Sequence, residues 1–276
     1  MMGEFKNRLT QRRMHTEIVQ GYCLICGVYG KLSWDHVPPQ GSITITKVEQ
    51  VHLTEIMGVD PVPVRGLKSP NGSKFRTICK DCNSGYLGVN DQEVARVYKG
   101  VTEIVNHHFT YASNPHNVVW FPFYAVKFCR AMVGHILSAT TVDECKEKPT
   151  ASPYFIPLQK FVMGDDTAMK DTHDMYCWFY PHRHHLSIKL FAFRNRGNQC
   201  SISLLSFFPL AFSITEKGKG IYPSGACKVE LTDDRLFVDL SSGHFPYSGF
   251  PFTGFSGDQM MALNSAQAIV SYPIKD

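Results

Sequence analysis

Two Cys-x-x-Cys pairs, Cys23-Leu24-Ile25-Cys26 and Cys79-Lys80-Asp81-Cys82, constrain this chain more than any other feature. Two residues between thiolates let a tight knuckle aim both sulfurs at one ion, and two such knuckles together make a closed tetrahedral zinc site. The competing reading is two redox pairs. Those usually sit in a βαβ context, and no such alternation surrounds these cysteines. A four-thiolate site leaves no position for a reacting water, so any chemistry must come from residues that the frame holds in place. Trp34-Asp35-His36-Val37-Pro38-Pro39 lies inside the frame, and Asn83 follows the last cysteine. An adjacent Asp-His pair offers a hard oxygen ligand and a base that titrates near neutrality. Neighbouring side chains on a strand point to opposite faces, so Asp35 and His36 meet at one site only if the backbone turns there. Val37-Pro38-Pro39 is expected to stop the strand.

The chain has 276 residues, enough for one large or two ordinary domains. Its 43% hydrophobic and 19% charged residues fit a soluble globular protein rather than a disordered one. The apolar run near 121–126 is too short to span a membrane, and residues 1–20 lack the apolar segment of a signal peptide. Of nine cysteines, Cys129, Cys145, Cys177, Cys200 and Cys227 fall outside the two knuckles and show no paired spacing. They read as reduced thiols, which implies a cytoplasmic location. The net charge of +4 permits nucleic-acid binding without demonstrating it. Basic residues cluster at Lys6, Arg8, Arg12 and Arg13, and again at Arg65, Lys68, Lys74, Arg76 and Lys80 on the approach to the second knuckle. Solvated surface explains most such clusters, but beside a phosphodiester site each neutralised phosphate adds affinity.

Along the chain, 3–18 reads as a short basic helix and 46–57 as near-helical. Asn71-Gly72 reads as a hairpin tip leading into a strand with Phe75, Thr77 and Cys79 alternating against Lys74, Arg76 and Ile78. Asn83 would begin a helix that Gly88 interrupts. Asn90 with Glu93 resembles a capping box for the next helix, whose apolar face is Val94, Val97, Tyr98, Val101, Ile104 and Val105. A second helix is expected over 122–139, with His135 in its buried stripe as a hydrogen-bonded core histidine. Residues 140–153 read as a linker. Beyond it the pattern turns to strands, with 176–180, 186–193 and 200–208 as an antiparallel meander and 228–231 with 236–240 as a hairpin. His182, His184 and His185 read as an exposed cluster at a turn, and 259–270 as a closing helix. The expected fold class is α+β, with residues 1–150 holding the zinc-stapled unit and its helices, and 151–276 a mainly antiparallel β region.

The residues Cys23, Cys26, Asp35-His36, Cys79, Cys82 and Asn83 resemble the HNH endonuclease family in its four-cysteine, zinc-stapled form. The family fold is the ββα-metal finger. The resemblance covers roughly residues 20–90. It implies a DNA phosphodiester hydrolase in which Asp35 and Asn83 hold a Mg or Mn ion and His36 activates water. Lys74 and Arg76, with Lys80, Arg65 and Lys68 nearby, are then the expected phosphate contacts. The motif's third polar residue has no counterpart, since Tyr86 and Leu87 occupy its place, and the insert from 40 to 72 is long. By analogy with HNH effectors of restriction and antiviral defence, the β-rich half would recognise a target, dock a protein partner or form a homodimer. The alternative is a zinc-stabilised binding module without activity.

Overall fold

The computed structural model describes residues 18–53, 66–111, 116–195, 198–252, 260–262 and 268–274. Residues 3–17 of the helix expected over 3–18, and Arg65 with the N-terminal basic residues, lie outside them.

The chain is mixed α+β, with a large antiparallel sheet and a four-cysteine cluster near its N-terminus. Strands β1 (Gln20–Tyr22), β2 (Tyr29–His36) and β5 (Lys74–Cys79) form a small sheet in the order β1-β2-β5. Between β2 and β5 the insert contributes β3 (Val48–His52) and β4 (Leu67–Ser69). The near-helical spacing expected over 46–57 is therefore a strand as far as His52, and 54–65 lies outside the described residues. β3 takes its conformation from its partner, β14 (Ala268–Pro273), with Val51 opposite Val270. A long-range pairing here overrides a weak local pattern.

After Cys79 a π-helical turn (Asp81–Leu87) runs straight into α1 (Gly88–Thr110). Gly88 keeps helical geometry, at φ −56°, and does not break the helix. Asn90 is not a cap. It lies inside the helix, its amide donating to the Tyr86 carbonyl at 2.7 Å, while Glu93 accepts from the Tyr124 backbone N–H at 2.8 Å. β6 (Val118–Pro122) and α2 (Ala125–Ser138) follow. Two close approaches depend on glycine. A Cβ on Gly134 of α2 would meet Leu87 at 1.9 Å, and one on Gly100 of α1 would meet the Phe121 ring at 2.0 Å. The missing side chains let α2 press on the π-helical turn and let β6 press on α1.

The stretch expected as a linker is built in: Thr140, Thr141 and Cys145 are buried around a 3₁₀ turn (Val142–Cys145), and α3 (Phe155–Val162) precedes the first strand of the β-rich half. The strands β7 (His173–Phe179), β8 (His185–Asn195), β9 (Asn198–Phe207), β10 (Leu210–Glu216), β11 (Cys227–Val229), β12 (Arg235–Asp239), β13 (Met260–Ala262) and β14 complete the chain. The nine-stranded sheet runs β11-β7-β10-β9-β8-β14-β3-β4, with β13 on β8. It is not a plain meander, because β7 lies beside β10 and the link to β8 crosses over two strands. β11 and β12 do not pair with each other: β11 joins β7, and β12 forms a two-stranded sheet with β6. Of the closing helix expected over 259–270, residues 260–262 and 268–270 are strand, in β13 and β14, and the rest lie outside the described residues. Strands from both sides of residue 150 share one sheet, so that position does not separate two sheets.

Period-2 alternation explains the core. Met175, Cys177 and Phe179 of β7, Leu205 and Phe207 of β9, and Phe212 and Ile214 of β10 face the helices. Tyr176, Trp178, Ile202 and Leu204 face the other side with Leu186 and Ile188. The Tyr98 ring of α1 stacks on Phe207 at 3.9 Å. Among the described residues, no helix is long and apolar enough to cross a membrane.

Candidate metal centre and active site

The two knuckles meet at one point. The Sγ atoms of Cys23, Cys26, Cys79 and Cys82 all lie within 4.8 Å of one another, and Cys26 Sγ is 3.8 Å from Cys79 Sγ. A tetrahedral ion with Zn–S bonds of ~2.3 Å needs sulfurs ~3.8 Å apart, so this cluster could hold a metal ion such as zinc. Backbone N–H groups support the sulfurs: Cys79 donates to Cys23 Sγ at 3.3 Å and Cys82 to Cys79 Sγ at 3.5 Å. The crowding alone separates the thiols. A hydrogen bond from Cys82 draws Cys23 down to about 5, burial pushes Cys26 up to about 11, and the same bond to Cys23 drives Cys82 far above its ordinary range. All nine cysteines are free thiols.

β2 ends at His36, as the Val37-Pro38-Pro39 sequence leads one to expect. The register of β2 against β5 shifts between Ser33 and Asp35, and Asp35 and His36 then alternate across the strand. Asp35 turns inward and is 3% exposed. Its Oδ2 lies 3.0 Å from His135 Nδ1 and accepts the Ser138 hydroxyl. The other nitrogen of His135 is 2.8 Å from Asp91 Oδ1. His135 is thus the buried, hydrogen-bonded histidine that its place in the α2 stripe implies, and it bridges carboxylates from β2 and α1. Burial pulls its pKa down, but Asp35 and Asp91 outweigh that and hold it at about 10, so the ring is an imidazolium at neutral pH.

His36 faces the other way and is half-buried. Burial first, and then the Lys74 ammonium, lower its pKa, while the Asp35 carboxylate and the Asn71 main chain act against them. Asn71 lies in the turn that joins β4 to β5. Asn83, just past the fourth cysteine, donates its amide to the Trp34 carbonyl at 2.8 Å and to Ser33 Oγ at 3.1 Å. It thereby meets the Ser33–Trp34 segment of β2, next to Asp35 in sequence, and its amide oxygen remains an acceptor.

The basic residues divide. Lys74 lies beside His36. Arg76 donates to the Leu32 carbonyl at 3.2 Å and lies 5.4 Å over the exposed Trp34 ring. Lys80 is exposed next to the second knuckle. Lys68 is on β4, the far edge of the nine-stranded sheet. His182 and His184 are half-buried against Tyr180 and His185 is buried in β8, so these three are not the exposed cluster expected. Ser138 and Asp91 escaped sequence reasoning. Asn71-Gly72 is a turn but not the expected hairpin tip, because it joins β4 and β5, which lie in different sheets.

No family model, curated protein or solved structure matches the chain.

Proposed function

We propose that the chain is a metal-dependent endonuclease of the HNH type that hydrolyses DNA phosphodiester bonds, with structural zinc at the four cysteines. The observation that carries this reading is His36. Its ring is half-buried, has a lowered pKa, and stands opposite Lys74 in the small sheet that carries the cysteine knuckles. Such an imidazole is neutral at pH 7, with a ring nitrogen available to take a proton from water. Lys74 and Arg76 flank it and suit phosphate oxygens.

The catalytic ion is the finer part of the proposal. Asp35 Oδ2 already serves His135 and Ser138, so Oδ1 is the oxygen that an ion would take, together with the amide oxygen of Asn83. One carboxylate and one amide suit a Mg- or Mn-type ion that keeps several waters. When bound, it supplies charge stabilisation at the phosphate and the departing oxygen. His135 and Ser138 hold Asp35 in one orientation.

One observation favours the second reading, a zinc-stabilised binding module. Asp35 is buried and fully engaged at one oxygen, as a purely structural carboxylate would be. Nicking of supercoiled plasmid, with Mg or Mn and without, decides between them. His36→Ala should keep its fold and its metal while losing on the order of 10² to 10⁴ in rate. Cleavage by His36→Ala at the native rate excludes His36 as the base. No cleavage of DNA or RNA by the native chain with either ion supports the binding module.

A further inference from the structure

The two-stranded sheet β6–β12 exposes aromatic rings that the site above does not use. On β6, Val119 is buried while Val118 and Trp120 are exposed; on β12, Leu236 and Val238 are buried while Arg235 and Phe237 are exposed. The register places Phe237 directly opposite Trp120, so both rings stand on the outer face, each about 45% exposed. Next to them Tyr124 is 67% exposed. Cations lie on these rings rather than on carboxylates. The Arg235 guanidinium is 4.4 Å over Trp120, and the Lys127 ammonium is 5.5 Å over Tyr124. Among the described residues no ion pair joins Arg235 or Lys127 to an acid. Arg96, also over Tyr124, is neutralised by Glu93, and Asp239 at the end of β12 is engaged by His244 and Ser241.

We infer that this face is a stacking platform for single-stranded nucleic acid, with bases on Trp120 and Phe237 and phosphates at Arg235 and Lys127. Paired exposed rings offer flat π surfaces that any base can use, and uncommitted cations beside them match the backbone charge. A lipid surface would ask for aliphatic side chains, which this face lacks apart from Val118. The platform is near the candidate site. Arg96, beside Tyr124, is five residues from Asp91 on α1, roughly 7.5 Å along the axis. Asp91 is the partner of His135, which holds Asp35. Along that stretch α1 exposes Gln92, Arg96 and Lys99, so a strand leaving the platform can follow one helix toward Asp91. That the strand is then cut rests on the nuclease reading; that it binds does not.

The test is fluorescence anisotropy on the full zinc-loaded chain carrying His36→Ala, so that nothing is cut. The probes are a labelled mixed-sequence single strand of about 20 nucleotides and its blunt duplex. Single-strand binding should weaken by about tenfold or more in Trp120→Ala and in Phe237→Ala, with duplex binding little changed. Trp120→Phe and Phe237→Tyr keep a π face and should bind as the parent does. Arg235→Gln should reduce the salt dependence by about one phosphate contact. Circular dichroism checks that each variant is folded. Three results overturn the inference: no single-strand binding by the parent, parental affinity in both alanine variants, or a dimer of the chain that Trp120→Ala dissolves. Plasmid cleavage run in parallel by the native chain keeps the two ideas apart. Platform binding without cleavage sinks the nuclease reading alone, and cleavage with unaffected alanine variants sinks the platform alone.

Discussion

The cysteine hairpin and the nine-stranded sheet share one apolar core but are fixed by different forces. The sheet is packed on both faces with rings and branched side chains, such as Phe207 under Tyr98 and Phe212 under Phe128. The hairpin is small, and much of its docking is polar. Thr77 donates to the Ser138 carbonyl at 2.6 Å, Gln159 of α3 donates to the Leu24 carbonyl at 2.9 Å, and Asp35 meets His135. Gln50 of the sheet reaches Ser73, just ahead of β5. Apolar contacts fix volume and tolerate small slides, while hydrogen bonds and metal ligands fix direction. A short hairpin cannot bury enough surface to hold itself, so a few directed bonds, and the metal that its four cysteines could hold, would do that work. The candidate site residues sit in the directed region, where positions are held most tightly.

The largest effect that would break this contrast is loss of the metal. Structural zinc contributes on the order of 10 kcal/mol of folding free energy, and Cys79→Ser should forfeit much of it. Metal analysis should show no bound zinc, and hydrogen exchange should show deprotection in β2 and β5 but retained protection in β8 to β10. Equal deprotection of both regions would mean that they are one cooperative unit.

Acid should weaken the sheet separately. His173 and His185 are buried there, and burial lowers both to about 4. Both folded values lie below the unfolded value of 6.5, so the unfolded chain takes up protons first as pH falls. The stability they allow is complete above pH 6.5 and is lost between 6.5 and about 4. At about 1.4 kcal/mol per pKa unit, each histidine accounts for on the order of 3 kcal/mol. Urea melts followed across that window should show the decline, and His173→Gln with His185→Gln should flatten it. Excess zinc should rescue the hairpin's share of any acid loss, not this one.

Phe207→Ala should cost about 3–5 kcal/mol in global stability, with zinc affinity unchanged in whatever fraction stays folded. A parallel drop in zinc affinity would tie the two regions more closely than their contacts suggest. The smallest expected effect is Gln159→Ala, at about 1 kcal/mol, for loss of the bond to the Leu24 carbonyl. It should appear as faster exchange at the first knuckle and nowhere else.

What the sequence revealed follows the same division. The knuckles were legible because metal ligands have to obey fixed spacing, and strands β7 to β10 because alternation marks a buried face. The stretches that misled were those whose state is set by a distant partner. β3 looks helical by spacing alone, and β14 lies in a segment that also fits a helix. Each becomes a strand because the other is there, 221 residues away at Gln50 and Ser271. The same distance hides the clamp. Asp35 and His135 were each visible, but nothing in either neighbourhood announces the other. Glu93 shows a third kind of miss, a local motif diverted by a tertiary bond to the Tyr124 amide.

The place of β14 between β8 and β3 bears on how the molecule is made. A chain emerging from the ribosome can form the hairpin early, from contacts close in sequence. Its insert strand then waits, edge exposed, through the synthesis of some two hundred more residues. Until β14 arrives, β3 and β4 have no bridge to the other strands of the sheet. Pairings this remote close slowly and leave sticky edges open meanwhile. Assembly is therefore a zip fastened at its last tooth, and a chain stalled or clipped ahead of β14 would keep its cysteine knuckles but not the surface against which Ser73 and its neighbours rest.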